Sequence, residues 1–341
     1  METLFFPRVF FLTADLPTVE LTRYSISPMK KYLPSLILSL FSLQAYSQTA
    51  AQVHVFEPGV ISIGSYDTSA EFTPDGNTLY FLRGAPDFSF WTIYESHKVN
   101  GKWQKPAVAP FSGQYSDADP FITSDNKHLY FVSDRPTMSG GKVKDDMDVW
   151  VMDRQQAGAW GEPRHLNINT DKDEWYPCIA SDGTLYFGSE RPGGQGGSDI
   201  WKARPRADGS YDEPENLGPE LNSAENEYEP SIAPNQSYMF LMANKKEGLG
   251  RGDIYLSRNV DGHWTKPVNL GAPINSPGYE FAAKFTRDGK YLIWGSARNT
   301  SFPPKTKMTT QESERALHSA GNGLGAIYYI DANALPVKPV K

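Results

Sequence analysis

The chain is poor in cysteine, in positive charge and in long apolar runs, and each shortage closes off a class of protein. It has one cysteine, Cys178, in 341 residues, so no intrachain disulfide can form and no thiolate metal cluster can assemble. Lys and Arg number 33 against 40 Asp and Glu, a net charge of −7. The basic field that phosphate backbones require is lacking, which excludes nucleic acid as a partner. The chain contains no Gly-x-Ser-x-Gly elbow for a serine hydrolase, and Gly193–Gly197 is followed by no Gly-Lys-Ser/Thr, so it is not a phosphate loop. The six histidines do not cluster at metal-ligand spacing. No metal or other cofactor is expected.

The one apolar run, Leu33 to Leu43, is too short to span a bilayer. Lys30 and Lys31 precede it, and Ala45-Tyr46-Ser47 follow, which is the layout of a signal peptide with its cleavage site. Residues 1–28 then read as an upstream extension, 29–47 as the leader and 48–341 as a single domain. No cysteine follows the run to carry a lipid. A periplasmic or secreted monomer that does not span the membrane is expected.

Aromatic residues make up 13% of the chain, with 29 Gly and 26 Pro, a mixture that favours short strands and tight turns. Those strands recur. Leu79-Tyr80-Phe81 follows the turn Pro74-Asp75-Gly76, Leu129-Tyr130-Phe131 follows Ser124-Asp125-Asn126, and Leu185-Tyr186-Phe187 follows Ser181-Asp182-Gly183. Met239-Phe240-Leu241 and Leu292-Ile293-Trp294 are looser copies. Phe81, Phe131, Phe187, Leu241 and Trp294 are 50, 56, 54 and 53 residues apart, a period that fits propeller blades. The innermost strand ends at Phe72, Ile122, Ile179, Ile232 and Phe285, and an Asp-Gly type hairpin joins it to the Leu-Tyr-Phe strand. A third strand reads Ile93-Tyr94, Val149-Trp150, Ile200-Trp201, Ile254-Tyr255 and Ile327-Tyr328. The outer strand is expected to open at Trp103/Pro106, Trp160/Pro163, Tyr211/Pro214 and Trp264/Pro267. Its fifth copy is missing at the end and is supplied from the front by Val55–Pro58. The expected fold is all-β, a five-bladed β-propeller of four-stranded blades closed by the N-terminal strand.

Beyond the period, the segments Ser133-Asp134-Arg135-Pro136 and Ser189-Glu190-Arg191-Pro192, the Asp-Gly turns, and the glycine run leading to Asp199-Ile200-Trp201 carry a family resemblance. Over about residues 53–331 the chain resembles the TolB-like propeller repeats of exported Bacteroidetes proteins. That resemblance implies the fold. It leaves function open among scaffolds, binding modules and enzymes. TolB has six blades and a further N-terminal domain, from which this chain departs.

Strand order puts the hairpins on one face and the variable loops on the other, which is where a site is expected. An acid stands eight residues before each turn Asp or Asn: Asp67, Asp117, Glu174, Glu227 and Glu280. Arg135, Arg191, Lys245 and Arg298 close the second strand, with Arg83 slightly out of register. Repetition in every copy suits a clamp between an acid and a neighbouring blade's base. Alternatively, these bases meet an acidic ligand. Tyr66, Tyr115, Trp175, Tyr176, Tyr228 and Tyr279 stand beside the acids and suit sugar rings or packing between blades. Asp119 and Glu229 are carboxylates without equivalents, and Glu71 and Lys284 lie deeper.

Two functions follow. One is handling of an acidic (uronic or sulfated) oligosaccharide in polysaccharide utilisation, by elimination if catalytic. Its proton shuttle and charge neutraliser would be His318, Tyr176, Tyr228 and Arg191, with Arg135, Arg298, Lys245, Trp175, Tyr115, Tyr279, Asp119 and Glu229 binding substrate. Hydrolysis by Asp119 with Glu229 is the less favoured chemistry. The other function is a non-catalytic module that binds an envelope protein.

Overall fold

The computed structural model describes residues 52–340, apart from 86, 157 and 303–306. The expected leader at 29–47 and the extension before it lie outside the described residues. Five antiparallel sheets follow one another, and the innermost strands are Tyr66–Phe72, Asp117–Ile122, Glu174–Ile179, Glu227–Ile232 and Glu280–Phe285. The propeller and its five blades are as the repeat implies.

Blade 5 is completed from the front of the described chain. His54–Val55 pairs antiparallel with Ala326–Asp331, setting His54 opposite Tyr329 and Val55 opposite Tyr328. The Phe56 amide adds a bond to Ile327 O at 2.8 Å. Closure thus begins one residue earlier than expected, and Glu57, at φ 43° with its carbonyl accepting the Val60 and Ile61 amides, turns the chain out of the pairing before Pro58.

The outer strands differ from expectation. Each is two residues long and starts directly after the proline: Ala107–Val108, Arg164–His165, Glu215–Asn216 and Val268–Asn269. Proline ahead of the strand leaves no ladder donor missing. The aromatic three residues earlier belongs to the hairpin that turns out of the third strand, and it reaches the previous blade. Trp160 Nε1 donates to Tyr80 OH at 3.0 Å, and the Tyr211 and Tyr130 hydroxyls are 3.0 Å apart.

The turn chemistry explains the recurring Asp. Its carboxylate, or the Asn235 amide oxygen in blade 4, accepts the amide two residues on, as in Asn77 to Asp75 at 3.1 Å and Thr184 to Asp182 at 3.0 Å. Gly76, Gly183 and Gly289 supply the left-handed residue, with φ of 69°, 86° and 71°, a conformation glycine adopts without cost. Asn126 and Gln236 take that position in blades 2 and 4.

The innermost strands carry a second repeated device. Each has a β-bulge after the residue that follows its clamp acid. The bulged residue is left-handed in every blade: Ser69, Asp119, Tyr176, Glu229 and Ala282 have φ between 50° and 58°. Ser69 Oγ in blade 1 lies 2.6 Å from Tyr176 OH in blade 3, so these side chains converge on the ring's axis.

Candidate functional site at the centre of the propeller

The five acids and five bases form one clamp per blade. Arg83 meets Asp67 at 2.7 Å, Arg135 meets Asp117 at 2.7 Å and Arg191 meets Glu174 at 2.9 Å. Lys245 meets Glu227 at 3.1 Å and Arg298 meets Glu280 at 3.6 Å. All five carboxylates are buried. The partners lie on adjacent strands of one sheet, which corrects the expected pairing between neighbouring blades. Arg83 is no exception, because it uses Nε where the others use Nη2 or Nζ.

The link between blades is the crossover loop, which sequence reasoning missed. Arg135, Arg191 and Arg298 donate to Phe111 O, Ile168 O and Ile274 O of that loop. The acids accept from it too: Thr170, Ser223 and Ser276 each give an amide and a hydroxyl to Glu174, Glu227 and Glu280. One residue before these, Asn169, Asn222 and Asn275 bracket the backbone of Val149, Ile200 and Ile254 on the preceding blade. The available signal was an Asn-Ser/Thr pair five and four residues ahead of each acid in blades 3, 4 and 5.

The clamp therefore occupies Arg135, Arg191, Lys245 and Arg298. Arg191 Nε donates to Ser189 Oγ, and its Nη2 serves both Glu174 and Ile168 O. Each of the four cations also lies over an aromatic ring of the third strand, at 4.9 to 5.7 Å. These groups are buried structural ties. Burial raises the Glu174 and Asp117 carboxyls, and the facing guanidinium opposes that rise.

The remaining expected site residues divide into two groups. Asp119, Tyr176 and Glu229 stand together on the axis. Ser69 Oγ donates to Asp119 Oδ1 at 3.2 Å, the Tyr176 amide donates to Asp119 Oδ2 at 3.3 Å, and the Ala282 amide donates to Glu229 Oε2. Each acid thus accepts the bulged amide of the next blade. Burial pushes Asp119 up to about 7 and Glu229 up to about 8, the negative charge of Asp119 adding to the second shift. Tyr66 and Tyr176 are raised by burial and by these same two carboxyls.

Above this pair, on the loop face, lies an aromatic collar. Trp91 meets Trp175 edge-on at 5.5 Å, Tyr66 meets Phe281 at 5.6 Å, and Tyr279 stacks on Phe281 at 5.6 Å beneath Arg251. Tyr228 is half-buried near Glu229 and Tyr279. The indole N–H of Trp91 is buried without a partner among the described residues, and sequence reasoning did not single it out.

Two expected residues lie apart. Tyr115 sits over Arg135 beside the groove between blades 1 and 2. His318 caps the C-terminus of a helix, Thr310–Leu317, inside the long fifth loop, with a side chain 79% exposed and Glu314 3.6 Å away. Within that loop Thr309 and Glu312 form a capping box that nucleates the helix. Exposure leaves His318 outside the central constellation. Cys178 is buried, and burial pushes its thiol up to about 12, which suits packing over nucleophilic chemistry.

The hairpin face was expected to be purely structural. A cavity of about 690 Å³ opens there, its lining including Glu71, Phe121, Lys284 and Arg287.

No protein-family model and no curated protein matches the chain. Among solved structures it is similar to a protein described as a TolB from Agrobacterium tumefaciens, at 13% identity and TM-score 0.45, covering 80% of this chain and 91% of that one. An α-L-arabinofuranosidase from Lactobacillus brevis gives 14% identity and TM-score 0.49, covering 80% and 92%. A periplasmic gluconolactonase from Pseudomonas aeruginosa gives 13% identity and TM-score 0.38, covering 69% and 66%. At such identities the likeness concerns the fold. No helix among the described residues is long and apolar enough to cross a membrane.

Proposed function

We propose that this propeller is an exported glycan-handling protein that binds a saccharide at the aromatic mouth of its loop face. The observation that carries the reading is the collar of Tyr66, Trp91, Trp175, Tyr228 and Tyr279 around the axis, above Asp119 and Glu229. Pyranose rings present flat C–H faces that stack on such rings, and ring hydroxyls need acceptors and donors nearby. Trp91, Trp175, Tyr228 and Tyr279 keep part of their surface exposed at the mouth, where a ring can stack. Elimination at a uronic acid needs a guanidinium free to neutralise the substrate carboxylate. Arg191 and its equivalents are spent in clamps, which favours binding over that chemistry.

The test is a titration of the purified protein with neutral and uronic oligosaccharides, followed by tryptophan fluorescence and calorimetry. Trp175→Ala is expected to weaken binding by about tenfold, the loss of one stacking contact. Absence of heat and of any fluorescence change across the panel removes the reading, and a new absorbance from an unsaturated sugar would reinstate elimination.

A second reading, an envelope protein-binding module, is supported by exposed apolar tips on four loops of the same face. Phe88 is 50% exposed, Met138 76%, Leu249 53% and Leu324 39%, and apolar groups so placed mark docking sites. Met138→Glu with Leu249→Glu should abolish cross-linking to an envelope partner and leave saccharide titrations unchanged. Cross-linking that persists in this variant counts against the module.

A further inference from the structure

The far end of the channel holds charges that neither the clamps nor the aromatic mouth uses. Glu71, on the innermost strand of blade 1, is 2% exposed and accepts from Lys284 Nζ at 2.9 Å, from Arg287 Nη2 and from the Ile122 amide at 3.2 Å. Two cations thus converge on one carboxylate, so the group carries one surplus positive charge at the floor of the 690 Å³ cavity. Among the described residues Lys284 Nζ makes that single hydrogen bond, which leaves two of its three N–H donors unspent. Arg287 Nη1 has no partner there. The two side chains remain 19% and 27% exposed, so they face open space while fixed from behind. Asp125, the other acid in the lining, is committed to its turn by Thr123 and Lys127.

The walls are of a different character. Phe121, Tyr130, Tyr211, Phe240 and Phe285 surround the charged floor. A bare inorganic anion would fill a small part of that volume and leave the rings idle. Cavities of a few hundred to about 1,000 Å³ take small organic ligands, with apolar walls supplying contact and a few fixed polar groups setting orientation.

We propose that this cavity is a binding site for a small organic carboxylate of sugar size, its carboxylate held by Lys284 and Arg287 and its body packed against the aromatic walls. Glu71 acts as the positioning residue: it draws both cations to the floor and keeps their chains extended. The site is separate from the aromatic mouth and does not depend on saccharide binding there.

Calorimetry with sodium glucuronate tests it, with glucose and sodium sulfate as comparison probes. Glucuronate should bind with an affinity that falls as salt rises, while glucose and sulfate bind at least about tenfold more weakly. Lys284→Gln removes the surplus charge and should weaken glucuronate by about tenfold or more. Arg287→Gln should do the same. Lys102→Gln, an exposed cation outside the cavity, should change nothing. Melting curves show which variants are folded. The proposal is overturned if glucuronate does not bind, if folded Lys284→Gln and Arg287→Gln bind it as the parent does, or if sulfate matches it.

Discussion

Asp119 and Glu229 hang from left-handed bulge residues at the centre of the ring, where burial opposes ionisation. Their folded pKa values, about 7 and about 8, lie above the ordinary carboxylate range. The native state therefore holds protons that the unfolded chain releases. Stability from this source is complete below about pH 4 and is lost as pH rises through 7 to 8. Glu71 works in the opposite sense. Burial alone would raise it, but Lys284 and Arg287 outweigh burial and hold it low, so its contribution is present above its unfolded pKa and lost in acid. That loss falls below about pH 5, under the range in which the central pair titrates. The melting temperature should decline between pH 5 and 8, and the decline should be shallower in Asp119→Asn/Glu229→Gln. Parallel profiles would mean that the two groups are ionised at neutrality.

At the scale of the element, the unit that holds blades in register is the clamp with its crossover loop. Truncating Arg191 to Met leaves Glu174 buried beside Ser189 and Thr170 with no compensating charge. Breaking a buried pair from one side costs about 3–5 kcal/mol. The exposed pair of Lys127 with Asp125 is expected to contribute little when broken. Urea unfolding of the two variants separates these cases, and similar midpoints would show that the clamp is not a structural tie. The acids and bases were legible from their period alone. That they pair within a blade was not, because linear spacing does not say which strand edge faces which. The aromatic before each proline shows the same limit: its recurrence is plain in the chain, but its grip on the previous blade depends on curvature that only the closed ring has.

For the whole molecule, closure rests on a two-residue strand and the rings that flank it. Phe56 meets Phe72, Trp103 and Tyr329 at 5.8, 6.1 and 6.3 Å, joining the last blade to the first. Phe56→Ala should cost about 2 kcal/mol, the lower side of the range for a ring that is only partly buried. Its effect should be local, with amide protection falling along Ala326–Asp331 before Glu174–Ile179. Uniform loss across both strands would instead indicate a ring that opens everywhere at once.

The repeat by itself determined the number of blades, the strand order, the hairpin turns and the borrowed closing strand. Those features rest on local periodicity and turn chemistry, which are written along the chain. Tertiary structure alone decided which charges are spent. Arg191, one of a repeated set, and Lys284, which stands apart from it, are both cations in the sequence, yet one is sealed into a clamp and the other faces a cavity. The difference comes from five strands converging on an axis, where residues more than two hundred positions apart, such as Glu71 and Lys284, become neighbours and compete for the same partners.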